Sequence, residues 1–119
     1  MIIYGSLPTL NEVTASNRTN KYVGAKLKRD AEELIMLQLP KTKITGLIDL
    51  DIKWVVKDNR KDADNVYSAV KFLLDAMVKK GVLQGDGRKY VRNISHSIYT
   101  LPDAAIHAEG IIVEWRKSV

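Results

Sequence analysis

The chain has 119 residues, 19 of them Lys or Arg and 14 Asp or Glu, for a net charge of +5, and it contains no cysteine. That length suits one domain over residues 1–119 whose core needs no staple, and the lack of thiols excludes disulfide scaffolds, thiolate zinc sites and cysteine nucleophiles. The longest uncharged run, Met1 to Asn11, is 11 residues long, carries Gly5 and Pro8 and has no basic leader. It is far short of the roughly 20 residues that span a bilayer, which predicts no membrane span, no secretory signal and a cytoplasmic location.

The pattern along the chain predicts six elements. Met1 to Leu7 is apolar and β-branched enough for a strand, and Asn17-Arg18-Thr19-Asn20 reads as a loop. Ala25, Lys28, Ala31, Leu34, Ile35 and Gln38 then recur at helical spacing up to Pro40, predicting a helix over 22–39. Ile44, Ile48, Leu50, Ile52, Trp54 and Val56 alternate with Asp49, Asp51 and Lys53, the period of a half-buried strand. After the charged turn 57–61, Val66, Val70, Leu73, Leu74 and Met77 form a helical stripe that ends at Gly81, a helix over 65–80. Beyond Gly85-Asp86-Gly87, residues 90–100 and 107–116 each alternate and are separated by Pro102-Asp103, predicting a hairpin. Too few crossovers remain for a doubly wound sheet, so the expectation is α+β, a small mixed sheet with two helices on one face.

Lys61-Asp62-Ala63-Asp64-Asn65 puts two carboxylates two residues apart just before a helix. Along an extended segment, residues i and i+2 face the same side, so both can address one divalent cation. A helix N-cap accounts for one aspartate. It does not account for the second, for Asp86 in its Gly-flanked turn, or for the basic flanks Arg60, Lys61, Arg88, Lys89 and Arg92. Carboxylates in a basic setting suit metal-assisted phosphodiester hydrolysis: oxygen ligands hold Mg²⁺ or Mn²⁺ while Lys and Arg hold the nucleic-acid backbone.

The run from Lys61 to Met77, followed by Gly81-Val82-Leu83 and Gly85-Asp86-Gly87-Arg88-Lys89-Tyr90, resembles the RusA-type Holliday junction resolvases. Leu10-Asn11-Glu12, Asn17-Arg18 and Tyr22 to Lys26 are similar to the phage and prophage branch of that family. The resemblance implies a homodimeric, Mg²⁺-dependent endonuclease, with Mn²⁺ as a substitute, that binds four-way DNA junctions and nicks two strands symmetrically. It implies Asp62, Asp64 and Asp86 as the catalytic, metal-binding acids and Asn65 as the asparagine completing the motif. For the family's catalytic lysine, counting forward from Asn65 arrives at Ser68 and counting back from Asp75 arrives at Lys71, about one helical turn apart. Lys71 is the assignment here, since only an amine stabilises charge on a transferring phosphate.

A helix over 65–80 would be about 24 Å long, while the six residues from Lys80 to Asp86 return at most roughly 20 Å. Either that helix bends or stops early, or Asp86 meets Asp62 and Asp64 across a dimer interface. Asn17, Arg18 and Lys26 in the basic N-terminal block, with Arg60, Lys61, Asn65, Arg88 and Lys89 around the acids, are the candidate DNA contacts. Asp49 and Asp51 read as the solvent face of their strand, Asp75 as a structural acid beside the apolar stripe, and His96 and His107 as structural. Trp54, Tyr99 and Trp115 read as core or dimer packing. Two other functions compete with the resolvase: a catalytically silent junction-binding protein, and a broader nuclease acting on forks and flaps.

Overall fold

The computed structural model describes residues 1–118. The chain runs β1 (Ile2–Tyr4), α1 (Leu10–Thr19), α2 (Lys21–Met36), β2 (Ile48–Val56), α3 (Ala63–Tyr67), α4 (Val70–Lys79), β3 (Val91–Thr100) and β4 (Gly110–Lys117), with a 3-10 turn at Leu101–Asp103. The class is α+β, as expected. The four strands form one mixed sheet in the order β1-β4-β2-β3. No helix among the described residues is long and apolar enough to cross a membrane.

The expected hairpin between the last two strands does not form. β2 lies between them: β3 pairs with it in parallel, Leu50 opposite Ile94 and Trp54 opposite Ile98, and β4 pairs with its other side antiparallel, Leu50 opposite Trp115 and Trp54 opposite Ile111. The segment from Leu101 to Glu109 therefore passes the end of β2 instead of turning back beside β3. Glu109 accepts a hydrogen bond from the Lys57 backbone N–H at 3.0 Å and Ile106 is buried, which fixes that passage. β2 takes the centre because it is the most apolar strand, with Ile48, Leu50, Ile52, Trp54 and Val55 all buried, and central strands gain most from two covered flanks.

Ile48, Leu50, Ile52 and Trp54 on β2, Ile111 and Val113 on β4, and Ile3 on β1 form one apolar cluster with Ala31 and Ile35 of α2 and Leu73, Ala76 and Met77 of α4. Their stripe spacing makes α2 and α4 helices, and burying those stripes on the sheet is what stabilises them. At the C-terminus of α4, Gly81 at φ +81° lets the chain turn back, and Val82 and Leu83 both donate to the Met77 carbonyl.

Four helices replace the expected two. α1 occupies the segment read as leading into a loop, and it buries no residue. It forms because Thr9 and Glu12 make a capping box: the Thr9 hydroxyl accepts from the Glu12 backbone N–H at 3.3 Å and donates to the Glu12 carboxylate at 3.2 Å. Asn20 ends α1 and caps α2, its Oδ1 accepting from the Val23 N–H at 2.9 Å. α1 lies close on α2 where Gly24 leaves a notch for the Asn17 side chain; a Cβ at 24 would collide with Asn17 Oδ1. The single helix expected over 65–80 is two, α3 and α4, broken at Ser68-Ala69. β2 begins at Ile48 instead of Ile44, because Gly46 at φ +80° interrupts the extended backbone.

Candidate functional site

Asp62 is the N-cap residue of α3, with extended backbone angles and no side-chain capping bond, and its carbonyl accepts from the Val66 N–H at 3.2 Å. Asp64 sits inside the first turn of the helix, not in an extended segment. The i, i+2 geometry expected of a strand therefore gives way to a helix N-terminus, whose partial positive charge favours ionised carboxylates. Both side chains are exposed, as is Asp86. Val66 is buried and anchors the short helix to the core.

The break after α3 decides the rest of the geometry. Ser68 accepts the end of α3 by donating its hydroxyl to the Asn65 carbonyl at 2.8 Å, and Phe72 starts α4 by bonding the Ala69 carbonyl. With α4 only ten residues long and turned back at Gly81, the Gly85-Asp86-Gly87 turn reaches its first turn. Lys71 Nζ there lies 3.2 Å from Asp75 Oδ1 and 3.6 Å from Asp86 Oδ2. Asp75 is only 17% exposed and Asp86 42%. The hydrogen bond and charge of Asp75, reinforced by Asp86, raise the Lys71 pKa above its ordinary 10.5. Lys71 is thus a firmly protonated ammonium, 68% exposed and free to meet an anion from solvent. Ser68, the competing position for the lysine, points its hydroxyl back into the backbone.

The expectation that the 65–80 helix must bend or stop for Asp86 to return is met by this break. Asp86 reaches Lys71, yet among the described residues no three His, Cys, Asp or Glu side chains converge to hold a metal ion. In chemistry the donor set of Asp62, Asp64 and Asp86 suits Mg²⁺, which takes hard oxygen ligands and keeps several waters.

The basic residues fall in two groups. Arg60 and Lys61 line a cleft of about 250 Å³ with Lys57, Asp58 and Glu109. Arg60 is tied to Asp58 through its backbone N–H at 3.0 Å and its guanidinium at 3.5 Å, and Lys61 stands 4.0 Å from Glu12 of α1. Arg88 and Lys89 are exposed in the turn after Asp86, Lys89 over the Tyr90 ring. On the α1–α2 pair, Arg18 is exposed, Lys26 bonds Asp30 at 2.8 Å, and Asn17 is engaged with the Gly24 notch. Asn65 is half-buried at the start of α3. Asp49 and Asp51 lie on the sheet face opposite the helices, with Arg116 3.9 Å from Asp49.

Beneath α3 lies an aromatic stack that spacing along the chain does not reveal. Tyr67 at the end of α3 stacks on His96 of β3, ring centroids 4.7 Å apart, and His96 lies 6.0 Å from the Trp54 ring. The Trp54 indole N–H donates to His96 Nδ1 at 2.9 Å, so the imidazole is neutral with its proton on Nε2, and burial lowers its pKa below 6.5. His96 is structural, as the sequence suggests, but what it supports is the helix that carries Asp64.

Comparison of the chain with protein-family models, with curated proteins and with solved structures returned no match.

Proposed function

We propose that this protein is a homodimeric, Mg²⁺-dependent endodeoxyribonuclease that resolves four-way DNA junctions by paired symmetric nicks. The observation that carries the reading is the meeting of Lys71 with Asp86 beside the helix that begins with Asp62 and Asp64. Those four residues are the ones the motif resemblance singles out, and the ordered spacing from Lys61 to Tyr90 supports the same assignment. Asp62, Asp64 and Asp86 would hold the cation, which when bound polarises the phosphodiester and lowers the pKa of its water. Lys71, protonated at any physiological pH, offers its ammonium to the charge that develops on the phosphate. Its two aspartate partners hold it in place while leaving most of it open to solvent. Arg60, Lys61, Arg88 and Lys89 surround these residues with cationic side chains suited to the DNA backbone. A two-fold dimer presents two such sites to a nearly two-fold junction.

The test is cleavage of a labelled synthetic four-way junction with Mg²⁺, with EDTA and with Asp64→Asn. Symmetric nicks that require both the metal and Asp64 are the expected result. Tight binding without cutting in Mg²⁺ or Mn²⁺ would leave a silent junction-binding protein, and equal cutting of forks and flaps would leave the broader nuclease. Mixing Asp64→Asn with Asp86→Asn subunits then locates the third carboxylate. Restored activity means that Asp86 completes the site of the other subunit, because one site of the heterodimer keeps all its acids; continued inactivity means that each chain gathers its own.

A further inference from the structure

β3 is an edge strand of ten residues, and from Asn93 to Thr100 no backbone hydrogen bond joins it to any described segment other than β2. The opposite edge, β1, has three residues, a length that offers little to a neighbour. β3 lacks the devices that blunt a long edge. Between Asn93 and Thr100 there is no proline, no Lys, Arg, Asp or Glu and no bulge, and the only register shift lies at Ile48-Asp49, at the start of β2.

We infer that β3 is the seam of a homodimer, pairing antiparallel with β3 of a second copy about a two-fold axis at His96. The register follows from the side chains. Centred on His96, Ile94 faces Ile98 of the partner subunit on the helix-covered side of the sheet, and Ser95 faces Ser97 of the partner subunit on the other side. Centred on Ser95 or Ser97, each isoleucine would instead face His96 of the partner subunit or a residue nearer the strand end. The His96 register also runs the strand end that carries Arg88 and Lys89 alongside Asp103 of the partner subunit, so unlike charges meet at both ends of the seam. The eight residues from Asn93 to Thr100 give a seam of roughly 26 Å, and the two four-stranded sheets become one of eight strands with the helices on one side. A second copy satisfies this edge better than an unrelated extended peptide, because the two-fold supplies the isoleucine match and the end charges together.

The inference stands apart from the nuclease chemistry, and a dimer built through another face would overturn it while leaving that chemistry untouched. Because the chain has no cysteine, Ser95→Cys/Ser97→Cys is a clean probe: residues directly opposite in such a pair lie within disulfide range. Oxidation of the full-length double variant is expected to give a covalent dimer on a non-reducing gel. Lys53→Cys, on the same sheet face but one strand further in, is expected to stay monomeric on that gel. In sedimentation the wild-type chain is expected to be a dimer. Ser95→Lys/Ser97→Lys, which sets lysines against lysines across the seam, is expected to weaken it about tenfold, with its circular dichroism spectrum unchanged. A chain that remains monomeric up to about 100 μM overturns the inference. So does a dimer that the lysine variant leaves intact and the cysteine variant fails to trap.

Discussion

His96→Phe tests the aromatic stack beneath α3. Trp54 is 4% exposed, and its indole N–H has His96 Nδ1 as its partner at 2.9 Å. Phenylalanine keeps an aromatic surface against Tyr67 and Trp54 but offers no acceptor, so a buried donor is left unpaired, at a cost of about 1–3 kcal/mol. For a domain of this size a loss near the middle of that range lowers Tm by roughly 6–10 °C. The pH dependence gives the sharper readout. Burial holds the folded-state pKa of His96 below 6.5, so in acid the unfolded chain takes up the proton more readily than the folded one. His96 therefore contributes its full stability above pH 6.5 and loses it as pH falls below that value. The assay is urea unfolding of wild type and variant at pH 7.5, 6.5 and 5.5. The variant is expected to be the weaker at pH 7.5 and to lack this acid loss, so the gap between the two narrows toward pH 5.5. A variant as stable as wild type at pH 7.5, or a gap that stays constant with pH, would refute the reasoning.

Glu32 of α2 is buried, with its Oε2 on Lys79 of α4 and its Oε1 without a hydrogen bond, Lys28 standing 4.0 Å away. Lys79→Met is therefore expected to destabilise the fold by about 1–2 kcal/mol in thermal melts, since it strands a buried carboxylate, while Glu32→Met stays within about 1 kcal/mol of wild type or exceeds it; equal losses from the two would count against the pair's asymmetry. With its net charge of +5, the protein's affinity for junction DNA is expected to fall steeply with salt, the log-log slope giving the number of phosphates contacted. Arg88→Ala/Lys89→Ala is expected to make that slope shallower by about two, and an unchanged slope would move the DNA contact away from the Asp86 turn.

The sequence by itself determined the elements whose hydrophobic period is strong. The alternation from Ile48 to Val56 and the stripes of α2 and α4 read correctly because each is a local pattern that needs only one covered face. The α+β class followed from their order. So did the stop at Gly81 and the start of a helix near Asp62 and Asp64, since caps act within a few residues. The box Thr9-Leu10-Asn11-Glu12 was equally readable as the start of α1, but that helix buries nothing, and periodicity alone passes over a helix held by its caps.

Only the tertiary structure decided which strands are neighbours. β3 and β4 follow one another and alternate alike, yet β2 sits between them, because burying Ile52 and Trp54 between two flanking strands outweighs the short connection of a hairpin. The break at Ser68-Ala69 belongs to the same level: Val66 and Ala69 are both buried, and satisfying both bends the path of the helix. From that bend and the turn at Gly81 come the contacts of Lys71 with Asp75 and Asp86, two partners 4 and 15 residues away along the chain. The placement of His96 under Tyr67 likewise joins a strand to a helix 29 residues earlier. Residue types announced a chemistry, and packing between distant segments decided which of those residues meet.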